Sequence, residues 1–164
     1  MRSKITRTIA ALAAAGGLAI LLPGPAWAAS GPQPASGTFR ETSVTVDSER
    51  VADGNTILVV TVSGITTGTF DGPFIETDTL VIHPDRSVTL AGMGTQSGTL
   101  GTCGTGSAPY VTEAQGTASA RSGFIQSVDR AASTSTPTMI STVDSFTVNA
   151  VTGEGTYTGT YHCT

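Results

Sequence analysis

The sequence predicts an all-β fold, a single antiparallel, up-and-down barrel of about eight strands. Three observations lead there. Beyond residue 28 no stretch carries apolar residues at i, i+3, i+4 and i+7, so the signature of an amphipathic helix is missing. Runs rich in Val, Ile and Thr recur between turn signals, the pattern of an antiparallel meander. Glycines interrupt several of these runs, and a sheet that bends at such points can close on itself, which removes the exposed edges that the alternative, a β-sandwich, would keep.

The first element stands outside that barrel. Arg2, Lys4 and Arg7 precede an uncharged run from Ile9 to Leu22, mainly Ala, Leu and Ile, which is too short to span a bilayer comfortably. Pro23, Gly24 and Pro25 break any helix, and Ala26 and Ala28 straddle Trp27 in the A-x-A arrangement of a cleavage site. Residues 1–28 are therefore expected to be a secretory signal peptide cut after Ala28, leaving an extracellular mature protein. No cluster of Lys or Arg follows to stop transfer, and no cysteine lies near the cut to carry a lipid. Residues 29–37 are expected to be a flexible lead-in and residues 38–164 to form the barrel.

Without the signal, Arg40, Arg50, Arg86, Arg121 and Arg130 face twelve acidic residues, a formal charge of −7, and neither lysine nor tryptophan remains. Five scattered arginines in an acidic chain do not make the basic surface that neutralises phosphates, so nucleic acid is not an expected partner. Anionic membranes should repel the mature chain for the same reason. Its length suits one domain with one core.

The strands follow in order. "TFRETSVTVDSER" (38–50) is the first, closed by "ADGN" (52–55), whose Asp-Gly favours a tight hairpin. "TILVVTVSGITTGTF" (56–70) is the most apolar. "DGP" (71–73) is expected to turn the chain into "FIETDTLVI" (74–82). "HPDRS" (83–87) reads as a turn with Pro84 preset for its first corner, leading into "VTLAGMGTQSG" (88–98). In that strand Gly92, Gly94 and Gly98 are expected to mark bulges or places where a curved sheet needs room. "YVTEAQGTASA", "GFIQSV", "TMISTVDSFTV" and "GTYTGTYHC" complete the set, with "DRAASTSTP" (129–137) as a polar loop.

Cys103 and Cys163, the only cysteines, would both be exported to an oxidising compartment and are expected to form one disulfide. It would tie the last strand to the middle of the chain, adding roughly 4 kcal/mol in the chain-entropy account. In the final strand Tyr157, Gly159, Tyr161 and Cys163 alternate with Thr156, Thr158, Thr160 and His162. A bridged, shielded Cys163 sends the tyrosine face inward, where Tyr157 and Tyr161 either fill the core or orient a ligand. His83 and His162 alternate with threonines on faces read as solvated, so neither a metal centre nor a cofactor is expected.

The pattern G-T-x-[ST]-G-T occurs at 94–99 and 155–160, with an echo, "GITTGT", at 64–69. It is either a structural repeat or a Thr/Gly-rich sequence matching itself. At these residues the chain resembles a family. "VIHPDRSVTLAGMGTQSG" resembles the hP-D-G-S-x-x-x-x-G-x-x-x-x-x-G hairpin, and "VTGEGTYTGTY" the G-E-G-T-y-t-G final strand, of secreted bacterial proteins with an allene oxide cyclase-like barrel. The opening "SGTFRETSVTVDSERVADGNTI" suits the same group. The resemblance implies an eight-stranded barrel of the calycin-like kind, without an assigned activity. Arg86 stands where that hairpin usually has Gly. Plant allene oxide cyclases shape a fatty-acid epoxide in the barrel and use a carboxylate to assist ring opening, but no acid of this chain aligns onto that role by motif.

The residues themselves offer two sets of acids. Glu76 and Asp78 alternate with Phe74, Leu80 and Ile82, and Asp144 alternates with Ile140, Phe146 and Val148. An acid on an apolar face is either a lumen carboxylate with a raised pKa or, more commonly, a strand-end acid in water at the rim. No catalytic signature is present. The first functional expectation is a binding module for a small apolar or amphipathic molecule. A structural protein with a side-chain-filled barrel comes second, and a cyclase-like isomerase or lyase third.

Overall fold

The computed structural model describes residues 31–127 and 139–163, without the side chains of residues 124–127 and 139–144. The expected signal peptide and the loop at 129–137 lie outside the described residues. The strands are β1 (Gln33–Ala52), β2 (Asn55–Gly68), β3 (Phe70–Ile82), β4 (Ser87–Leu100), β5 (Thr105–Thr117), β6 (Ala120–Ser127), β7 (Met139–Asn149) and β8 (Glu154–Cys163), with one 3-10 turn at Gly101–Cys103. Each strand pairs antiparallel with the next, and β8 pairs with β1, so the sheet closes as an up-and-down barrel.

Closure corrects one boundary. Residues 33–37, expected to be part of a flexible lead-in, are strand: Gln33 to Arg40 pair with Tyr161 to Glu154, and Ala35 is buried. The last strand needs this partner to leave no open edge. A second correction concerns "DGP". The chain reverses at Thr69, and Asp71, Gly72 and Pro73 lie inside β3. Reversing there turns both Phe70 and Phe74 inward. The ladder to β4 skips Gly72 and Pro73, which is where a residue without an N–H is tolerated. The Gly72 carbonyl is served instead by Thr66 Oγ1 at 3.1 Å and Gln96 Nε2 at 3.2 Å.

The other turns follow their local chemistry. Asp53 and Gly54 both have positive φ, 50° and 78°, as a primed two-residue hairpin requires. At 83–87 the His83 N–H donates to the Ser87 carbonyl, and Asp85 accepts from the Ser87 N–H and hydroxyl. Arg86 takes φ 69°, the left-handed conformation that glycine adopts without cost.

Strand register sets the bore. Followed partner by partner from Arg50 through Ile57, Val81, Thr89, Gln115, Ser122, Thr147 and Thr156, the hydrogen-bonded ring returns to β1 at Thr38. That stagger tilts the strands. Irregularities between Glu41 and Ser43 and between Val46 and Ser48 bend β1, and the first shifts its inward positions from odd to even numbers.

Inward glycines let rings from neighbouring strands lie flat against the wall. A Cβ at Gly64 would strike Phe74, one at Gly155 would strike Phe39, and one at Gly94 would lie 2.6 Å from the Tyr110 ring; each ring belongs to that glycine's cross-strand partner. These glycines open the two G-T-x-[ST]-G-T stretches and their echo at 64–69, so the leading glycine marks a recurring packing unit.

The lower end is plugged. Phe70 stacks on Tyr157 with ring centres 5.5 Å apart and meets Tyr161 edge-on at 5.7 Å, with fully buried Leu100 beside them. Tyr157 and Tyr161 face inward, each 4% exposed, whereas Thr156 and Thr158 are exposed, as the alternation requires. Their hydroxyls accept from the Phe70 N–H at 2.9 Å and the Thr102 N–H at 3.0 Å. Cys103 and Cys163 are bonded across this end, with Cα atoms 5.3 Å apart, linking the turn after β4 to the end of β8. A second cluster, Val60, Val62, Phe74, Leu80 and Val88, lines β2 to β4, and Phe39 bridges the two by edge-on contacts with Phe74 and Phe146.

Candidate functional site

Above the plug the lumen is open. A cavity of about 330 Å3 runs from Phe70 and Tyr157 at the floor to Val44 and Val46, which line it yet are each 56% exposed and so mark its mouth. Its wall is mainly apolar, with Phe39, Phe74, Phe146, Leu80 and Leu90 among its members. The volume lies at the lower end of the range for small-molecule sites, about 300–1,000 Å3.

Two inward glycines on β4 create its polar patch. In register, Glu76 of β3 lies opposite Gly94, which lies opposite Tyr110 of β5; one step up, Asp78 lies opposite Gly92, which lies opposite Thr112. With no side chain at 94, the Tyr110 hydroxyl reaches across β4 and donates to Glu76 Oε2 at 2.9 Å. With none at 92, Asp78 Oδ1 occupies the space where a Cβ would be. The middle strand is hollowed out so that residues of its two neighbours meet in the lumen.

The electrostatics follow from burial. Asp78 is 2% exposed, and its Oδ1 has no hydrogen-bond partner. Burial pushes the Glu76 carboxyl up to about 8; repulsion from Asp78 adds to this and the Tyr110 hydroxyl opposes it. Burial likewise raises Asp78 to about 6, against the hydrogen bond it shares with Glu76 and the pull of Arg121. The two titrate as a pair that holds about one proton near neutrality. Glu41, nearer the mouth, is also raised by burial, with Arg121 pulling it down, and Tyr110 is pushed well above the ordinary tyrosine range by burial and by Glu76.

The structure thus gathers Glu76 and Asp78 into the lumen rather than at a wet rim. Tyr157 forms part of the cavity floor, while Tyr161 lies below it and does not line it. The side chain of Asp144 lies outside the described residues. His83 approaches Asn55 at 3.0 Å, and His162 is half-buried with a buried Nδ1, so neither histidine has the freely solvated face read from the alternation. Glu41, Tyr110 and Arg121 also line the lumen, and nothing in the sequence singled them out as site residues. The available signal was alternation, Glu41 with Phe39 and Tyr110 with Thr112 and Ala114, but it does not say which strands stand opposite. Among known proteins, no family model and no curated sequence matches this chain.

Proposed function

We propose that this chain is a secreted binding barrel whose lumen takes one small molecule with an apolar body and a single polar head. The observation that carries the reading is the cavity itself, a ring-lined space of about 330 Å3 open at one end with a carboxyl pair inside. A barrel serving only as a scaffold gains nothing from a void, because unfilled interior forfeits packing. The pair offers polar contacts to the head of such a molecule, and the phenylalanines accept the body. Export fits the basic and apolar N-terminal residues and the disulfide, and kinship with allene oxide cyclase-like proteins belongs to the same proposal. The outer wall, rich in Thr and Ser around an apolar lumen, reverses the pattern of a membrane-spanning barrel.

A cyclase-like isomerase or lyase is the second reading. What favours it is Asp78, a buried lumen acid next to a carboxyl that keeps its proton, a pairing suited to acid–base chemistry.

The test is native mass spectrometry of protein taken from its own culture medium, together with titration of a fluorescent anilinonaphthalene probe. One saturable site is expected, lost in Val60→Trp, which fills the cavity while the melting curve confirms folding. Equal probe binding by wild type and Val60→Trp, with no co-purifying molecule, would overturn the reading.

A further inference from the structure

We infer that the upper half of β1 is a docking edge for an extended, basic segment of another polypeptide, which adds to the sheet as a further strand beside the mouth of the lumen. The inference goes beyond the binding reading above and does not depend on what the lumen holds.

An unpaired edge is the first argument. Closure uses only part of β1: the ladder to β8 runs from Gln33 to Arg40, and the Glu41 N–H then donates to the Gly153 carbonyl at 2.8 Å. Above that point the strand pairs with β2 alone, and among the described residues no backbone hydrogen bond joins its other side. Every residue from Thr42 to Val51 is exposed.

Alternation says which groups face the open side. Ala52 and Asn55 close the two-residue hairpin as a hydrogen-bonded pair, and stepping along β2 by twos gives Arg50, Ser48, Thr45 and Ser43 as the residues bonded to it. Val51, Glu49, Val46 and Val44 therefore turn their N–H and C=O groups to the open side. The Glu41 N–H, bonded to Gly153, points the same way. A row of such groups is a template for another extended backbone.

The side chains of the same residues give the second argument. Val44 and Val46 line the mouth of the cavity and are each 56% exposed. A strand bonded to their backbone sets its own paired residues on the same face. Apolar side chains at those positions would cover both valines, while the residues between them, beside Ser43 and Thr45, would point to water. The partner is therefore apolar at every second position and polar between.

Charge selects among such strands. Register irregularities at Thr42 and Asp47 bound the regular run, and from Glu41 to Val51 the stretch holds the acids Glu41, Asp47 and Glu49 against Arg50 alone. Bulges and charges of this kind discourage edges from pairing with their own copies. A second copy would bring the same acids on a net-negative chain, whereas a basic segment meets opposite charge.

The probe is the peptide acetyl-KTVTVTK-amide, titrated into the whole protein by calorimetry, with amide hydrogen exchange reporting the place of binding. One saturable site is expected, with exchange at Val44 and Val46 slowed about ten-fold or more. N-methylation of the two valines of the peptide removes the N–H groups that face β1 and should weaken binding about ten-fold or more. Val46→Pro deletes an N–H on the open side without touching the ladder to β2, a change an edge strand tolerates. It should weaken the peptide about five- to ten-fold while the melting curve confirms folding. The charge-reversed acetyl-ETVTVTE-amide should bind most weakly. Absence of binding at about 1 mM peptide, an affinity unchanged by N-methylation or by Val46→Pro, or equal affinity for the charge-reversed peptide would overturn the inference. So would a concentration-dependent dimer in sedimentation that Val46→Pro dissolves, which would assign the edge to a second copy. The anilinonaphthalene titration reports the lumen alone, so the two readings stand or fall separately.

Discussion

Raising the pH from roughly 5 to 9 should destabilise this barrel, and Glu76→Gln should remove most of the loss. In the unfolded chain Glu76 titrates near 4.5, but inside the lumen it is pushed up to about 8. Between those values the folded state binds more protons at this residue than the unfolded state, so stability falls as pH rises. Below 4.5 both states are protonated and the penalty vanishes, whereas above about 8 it is complete. One proton accounts for at most about 1.4 kcal/mol per pH unit, an upper limit of roughly 4–5 kcal/mol for Glu76 alone. Asp78, raised from 3.8 to about 6, adds in the lower part of the same window. Water entering the open mouth and relaxation of the pair work against both contributions. A net loss of about 2–4 kcal/mol is expected, roughly 5–15 °C in Tm for a domain of this size. Asp85, held below its ordinary range by its hydrogen bonds to Ser87, acts in the opposite sense and only at lower pH. Glu76→Gln keeps an oxygen for the Tyr110 hydroxyl but carries no charge, so its curve should be flatter and lie above wild type at high pH. Urea melts of both proteins across the range provide the measurement. A wild-type stability that is level or rising from pH 5 to 8, or a Glu76→Gln protein that loses as much as wild type, would refute the assignment of a buried, proton-holding pair.

Gly92→Ala places a methyl group on Asp78 Oδ1 and should cost about 1–3 kcal/mol in urea melts, as for other overpacked sites. Tyr161→Ala removes a 4%-exposed ring that meets Phe70 and should cost about 3–5 kcal/mol, whereas Thr158→Ala on the outer wall should cost less than about 0.5 kcal/mol. Arg86→Gly relieves a left-handed residue and should raise stability by about 1 kcal/mol, read as an upward shift in the urea midpoint at unchanged slope.

The β class, the Asp-Gly and His-Pro-Asp-Arg turns and the inward face of β8 were legible in the sequence because each depends on local rules, a two-residue period or the φ preference of a turn residue. The pairing of Cys103 with Cys163 was legible for a different reason, since two cysteines leave one possible bond. Where a local rule met a competing demand it failed: Gly72 and Pro73 carry turn chemistry, yet the chain reverses at Thr69 and keeps Phe70 and Phe74 in the lumen. The candidate site was half legible. Alternation placed Glu76 and Asp78 on an apolar face of one strand, but it could not say whether that face met water or a lumen. Tertiary structure decided this through register, which sets Gly94 between Glu76 and Tyr110 and Gly92 between Asp78 and Thr112, so that two absent side chains on β4 become the space in which acids from β3 lie buried. Register is a relation among strands distant in sequence, and a shift of one residue would turn every one of these groups to the opposite face, so no single stretch of the chain contains it.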